Sequence, residues 1–271
     1  MKTILLHIHE DSGQEGRLQF ALDLARSMEG HLICAQITPF EYLSNGGEFY
    51  GGVMSYSAII ESMREQERAE QSRIEAHLQH EDVSWDWQKF DGNTADILAR
   101  HSVLADVIVL SQMSHDKRSV EDPLPVVADV ATHARAPVFV VPPQTKSFDP
   151  TGAALVAWNG SPESAHALQL AVPILQNSSE VNVLEVSDDT KGFAAADAAL
   201  YLAHHKIRCN TSRLCGDGKK TSDVLLHSAL ELKTAYIVMG AYGHSRLRET
   251  ILGGVTRDML ANSEVPLLIA H

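Results

Sequence analysis

The sequence predicts an α/β chain built from two tandem doubly wound parallel-sheet domains, five strands each, that form an internal pseudo-dimer. Three observations predict it. Short continuous apolar runs, such as Val107–Leu110 (VIVL) and Val138–Val141 (VFVV), alternate with amphipathic helical stretches. That is the pattern of parallel strands covered by helices on both faces. The second observation is an internal repeat: Ala105–Pro142 lies over Thr234–His271 without a gap, at an offset of 129 residues. ADVIVLSQMSH then meets TAYIVMGAYGH, with Val126 on Val255, Asp129 on Asp258 and Pro137 on Pro266. Upstream, TADIL at Thr94–Leu98 matches TSDVL at Thr221–Leu225, and Thr3–His9 matches the apolar run ending at Trp158 and Asn159. A repeat of this length marks a duplicated unit. The third observation is the stretch Pro142–Pro150, PPQTKSFDP, whose proline and polar content reads as a linker. The halves are therefore residues 1–145 and 150–271.

The elements follow from these patterns. In the first half, strands are expected near 3–9, 31–38, 83–90, 106–111 and 137–141, with helices near 13–29, 56–80, 94–103 and 124–134. In the second, strands are expected near 153–158, 181–187, 206–213, 235–239 and 266–270, with helices near 162–176, 192–205, 221–232 and 254–262. In such sheets, ligands sit beyond the C-terminal ends of the strands, where the strand order reverses.

Composition narrows the function. The chain has 271 residues, 44% hydrophobic, enough for sizeable cores. Its net charge of −13 argues against nucleic-acid partners and anionic membranes. No apolar run reaches the ~20 residues that span a bilayer. The start, MKTILLHIHEDSG, has neither the apolar core nor the cleavage site of a signal peptide, so a cytoplasmic location is expected. Cys34, Cys209 and Cys215 make no CxxC pair, and Cys34 reads as a core thiol. His7 and His9 share a strand face and His77 and His80 a helix face, but neither pair has further ligands in view, so no metal site is assigned. The segment Cys215–Ser222, CGDGKKTS, departs from a phosphate-binding P-loop: Lys219 is followed by Lys220, and Arg213 stands where the first glycine belongs. It reads as a turn and a helix start capped by Thr221.

Residues 239–256, MGAYGHSRLRETILGGVT, carry the chemistry. Gly240 and Gly243 leave an apolar strand; a nine-residue spacer with His244, Arg246 and Arg248 follows, then Gly253, Gly254 and a helix start. Glycines there let backbone approach a ligand, and free N–H groups at a helix start favour an anion such as phosphate. The spacing G-x2-G-x9-G after a strand ending in Met239 resembles the ATP-binding signature of the universal stress protein family. The family usually follows the last glycine with Ser or Thr; here Gly254 stands there, with Thr256 two residues on.

The resemblance, which extends over nearly the whole chain as a tandem member of the family, implies an adenine nucleotide alpha hydrolase-like fold. It implies ATP or AMP, with or without Mg²⁺, bound by the second half. Carried over by position, it places Ala157, Asn159 and Val186 at the base and ribose, and Met239, Gly240, Gly243, Gly253, Gly254, Val255 and Thr256 at the phosphates. Asn159 stands where the family has Asp. The pairing edge between halves is expected at Val138–Val141 and Leu267–Ala270, with further homodimerisation open. No residue reads as a general base, so a regulatory stress-response role is expected rather than catalysis beyond slow ATP hydrolysis. The alternatives are a scaffold or sensor holding another small ligand or a metal, and a weak ATPase or nucleotidyl transferase.

The repeat also compares the halves. Ser111, Ser114, Leu124 and Pro125 replace Gly240, Gly243, Gly253 and Gly254, so the first-half site reads as degenerate. A change of Gly240 or Gly253 to Val is expected to abolish binding and leave the fold intact. The long stretch Thr38–Ser57 reads as a surface excursion or a lid.

Overall fold

The computed structural model describes residues 1–39, 56–112, 126–186, 192–215, 218–241 and 254–271. The first half runs β1 (Thr3–Ile8), α1 (Gln14–Met28), β2 (His31–Thr38), α2 (Tyr56–Leu78), β3 (Ser84–Asp91), α3 (Thr94–His101), β4 (Val107–Ser111), α4 (Val126–His133) and β5 (Val138–Val141). The second runs β6 (Ala154–Trp158), α5 (Pro162–Leu175), β7 (Val181–Val186), α6 (Ala195–His204), β8 (Asn210–Leu214), α7 (Thr221–Glu231), β9 (Tyr236–Gly240), α8 (Gly254–Asn262) and β10 (Leu267–Ala270).

All of these strands join one sheet, in the order β3-β2-β1-β4-β5-β10-β9-β6-β7-β8. Within each half the described pairs are parallel. The halves meet in an antiparallel pair, with Leu267 opposite Val140, Leu268 opposite Phe139 and Ile269 opposite Val138. The expected doubly wound order and the expected pairing edge are both found. Each half reverses its winding between its first and fourth strands, β1/β4 and β6/β9.

Alternation along the strands sends side chains to two cores. Ile4, Leu6 and Ile8 join the layer under α1, α2, α5 and α6. Leu5, Ile108, Leu155 and Ile237 join the layer under α3, α4, α7 and α8. Apolar burial at roughly 25 cal/mol per Å² holds both layers. Helix starts and ends are specified locally. Asn93 caps α3 by accepting from Asp96 N at 2.9 Å. Ser161 caps α5 by accepting from Ser164 N at 3.2 Å, with Pro162 at the first helical position. Glu29 ends α1 in the left-handed conformation, φ 46°.

Two expectations change. β8 begins at Asn210, not near 206, because Lys206 turns the chain at φ 63° after α6 and β8 has β7 as its only strand neighbour. Thr221 is the first residue of α7 rather than its cap; Lys220 holds the cap position without a side-chain bond. The 142–150 stretch, read as a linker, is also packed: Phe148 N donates to Asp23 Oδ2 at 2.9 Å, and its ring stacks on Phe20 at 4.1 Å. Phe139 and Tyr236, from the two halves, both lie within 6.0 Å of the Phe148 ring centre. Among the described residues no helix is long and apolar enough to cross a membrane.

Candidate functional site

A cavity of about 360 Å³ opens at the C-terminal ends of β6 and β9, where the second half reverses its winding. Its size falls in the range of small-ligand pockets, ~300–1,000 Å³. Of the ten residues singled out in the sequence, Ala157, Asn159, Val186, Met239, Gly240, Gly254, Val255 and Thr256 line it. Gly243 and Gly253 lie outside the described residues, as do His244, Arg246 and Arg248 and most of the Thr38–Ser57 stretch.

The topology explains the convergence. Ala157 and Met239 pair across neighbouring strands, and Leu184 pairs with Ala157 on the other side. These three, with Val186 and Leu225, make an apolar floor. The rim is polar: Asn159, Ser161, Glu163, Thr221 and Thr256. An apolar floor with a polar rim is the usual make-up of a small-molecule pocket. Asn159 Oδ1 accepts from Ser161 N at 3.1 Å, which leaves the amide donors of Asn159 to face an acceptor.

Sequence reasoning missed Trp158, Ser161, Glu163, Ser164, Leu184, Thr221 and Leu225 as lining. Leu184 and Leu225 were legible as core positions of buried elements. Glu163 carried no signal beyond its place in the first turn of a helix.

Gly240 does a second job besides lining the cavity. A Cβ there would lie 2.5 Å from Ser164 N and 2.6 Å from the carbonyl carbon of Glu163. The glycine lets the start of α5 press against β9, so Gly240→Val would displace a helix and not leave the fold intact. A Cβ on Gly254 would meet nothing within 4 Å.

The first half builds the same place differently. Strand registers lay Ile4–Val107 on Ala154–Tyr236. His7 then stands at Ala157, His9 at Asn159, Gly13 at Glu163, Arg17 at Ala167 and Ser111 at Gly240. The close contact survives with its partners exchanged: a Cβ on Gly13 would lie 2.4 Å from Ser111 Oγ. Arg17 is fully buried. Its guanidinium donates to His7 O and His9 O, each at 2.8 Å, to Asp11 Oδ2 at 2.9 Å, and to Gln14 Oε1 and Ser111 Oγ. It therefore bridges the ends of β1 and β4. His7 is 6% exposed and stacks on His9, ring centres 5.7 Å apart. Burial, then the charge of Arg17, then His9 hold the His7 pKa well below its ordinary value. Ser114, Leu124 and Pro125, the replacements on which the expected degeneracy rested, lie outside the described residues.

The remaining candidates are not brought into a site. Cys34 is buried, and burial, reinforced by Glu75, pushes its thiol up to about 12. His77 pairs with Glu81 at 3.1 Å, and His80 meets Ala76 O at 2.7 Å. Among the described residues no group of three or more His, Cys, Asp or Glu is placed to hold a metal.

Comparison with known proteins follows the same division. The sequence profile of the universal stress protein family matches residues 152–271. No curated protein matches the chain. Among solved structures, a universal stress protein from Archaeoglobus fulgidus DSM 4304 covers 98% of this chain and 97% of its own, at 16% identity and TM-score 0.75. A functionally unknown protein from Pseudomonas aeruginosa PAO1 covers 100% of this chain and 92% of its own, at 15% identity and TM-score 0.57. At such identities the likeness is one of fold. The second half thus carries a universal stress protein family domain, and the first half repeats its fold beside it in one sheet.

Proposed function

We propose that the second half binds an adenine nucleotide in the β6/β9 cavity and that the chain acts as a nucleotide-responsive regulatory protein. One observation carries this reading: eight residues, drawn from three separate stretches of sequence on the strength of a nucleotide signature, line a single cavity at the winding reversal. Ala157, Val186 and Met239 offer apolar contact to the base. Asn159 and the glycine-bearing start of α8 face the sugar and phosphate end. The first half does not bind in this manner, because Arg17 bridges its crevice and His7 fills the position of Ala157. It serves instead as the fixed partner against which the second half is built. The proposed role is binding rather than turnover.

The test copies the first half into the second. In Ala157→His, an imidazole enters the cavity floor from a strand whose backbone pairing is unchanged. AMP and ATP affinities are measured by calorimetry, with thermal melting as the check on folding. Loss of binding by more than about tenfold, roughly 1.4 kcal/mol, in a variant that melts normally supports the reading. Unchanged affinity overturns it.

A further inference from the structure

Among the described residues, the charge at the cavity has the wrong sign for a polyphosphate. Among the described lining residues the one charged side chain is Glu163, and its Oε2 is buried without a hydrogen-bond partner. Two bases next to the rim in sequence are paired with Asp258: Lys220 Nζ lies 3.2 Å from its Oδ2 and Arg257 Nε 3.8 Å from its Oδ1. Glu163 also sits in the first turn of α5, so that helix start, which would otherwise favour a phosphate, already has its own anion. The chain as a whole carries −13. A carboxylate lining the cavity suits a ligand group that donates a hydrogen bond, whereas a phosphate oxygen beside it adds repulsion.

We propose that Glu163 sets the charge preference of the site, so that the cavity takes adenosine and AMP ahead of ADP and ATP. A sugar hydroxyl donates to the Glu163 carboxylate, and each added phosphate meets its negative charge. This inference rests on the cavity being an adenine nucleotide site. The corresponding position in the first half is Gly13, so the charge belongs to the second half alone.

The experiment is calorimetric titration of the full chain with adenosine, AMP, ADP and ATP, in EDTA at fixed ionic strength. It compares the wild type with Glu163→Gln and Glu163→Asp, each checked by thermal melting. In the wild type, affinity is expected to fall along the series. Glu163→Gln is expected to raise the ATP-to-adenosine affinity ratio about tenfold, the size of one partly screened charge. Glu163→Asp keeps the charge and is expected to hold the wild-type order, so a structural disturbance common to both variants is distinguished. Adenosine binding with the same ratio in wild type and Glu163→Gln overturns the proposal and leaves the nucleotide reading standing. A wild type that binds none of the four overturns the nucleotide reading, and this inference with it.

Discussion

Arg17 and Ala167 show how one residue separates two copies of a fold. The guanidinium at Arg17 is buried, charged and hydrogen-bonded at Nε and at both terminal nitrogens. Removing it leaves Asp11 Oδ2 and two backbone carbonyls without the guanidinium donor. Arg17→Leu is therefore expected to cost about 3–5 kcal/mol, read from urea unfolding; a loss under about 1 kcal/mol would show the network to be dispensable. His7 supplies a pH test. Its folded pKa lies below the ordinary 6.5, so as pH falls through that value the unfolded chain gains a proton that the folded chain refuses. Stability contributed there is complete above 6.5 and is lost as pH drops. Glu70 works in the opposite sense: burial raises it from 4.5 to about 6, so it favours the folded state as pH falls through that window. His7→Ala leaves Glu70 in place. The fall in melting temperature from about pH 7.5 to about pH 5.5 is expected to be smaller in the variant, and parallel curves would contradict the assignment. Neither role was legible in the sequence. His7 and His9 were seen to share a face, and matching Thr3–His9 to the run ending at Asn159 set His7 against Ala157, but the burial of His7 and the Arg17 bridge come only from the packing.

At the scale of elements, periodicity was enough to locate the strands and helices, because apolar runs and amphipathic stretches report burial directly. It failed where burial is weak. β8 is exposed along its length, whereas Ile207 and Cys209 just before it pack on the core without joining the strand, so the apolar pattern starts the strand too early. The glycine signature located the cavity for a related reason: Gly240, Gly254 and Thr256 stand at a strand exit and a helix start, which the topology must bring to one edge. What the spacing could not convey is that Gly240, besides lining the cavity, packs against a helix, whereas Gly254 does not. Gly240 faces the start of α5, so Gly240→Ala is expected to destabilise by about 1–3 kcal/mol as the helix shifts. Gly254 faces open space, and Gly254→Ala is expected to stay within about 1 kcal/mol of the wild type. Chemical denaturation of the pair checks the contrast; equal effects would contradict it.

Across the whole molecule, one sheet runs through both halves, and aromatic rings from each half and from the segment between them share a core. The repeat made the doubling legible, but the packing of Phe148 was hidden in a stretch whose prolines read as a tether. Phe148→Ala is expected to cost about 3–5 kcal/mol within a single unfolding transition; two separate transitions in the wild type would show the halves to be independent. The doubled architecture also carries the central claim, that duplication produced one working site and one closed copy. Native mass spectrometry of the full chain titrated with AMP counts the sites directly. One AMP per chain, lost in Ala157→His, is the result expected of an open second half and a first half closed by Arg17 and His7. Two per chain would contradict the closed first half, and none at saturating AMP would contradict the nucleotide site itself.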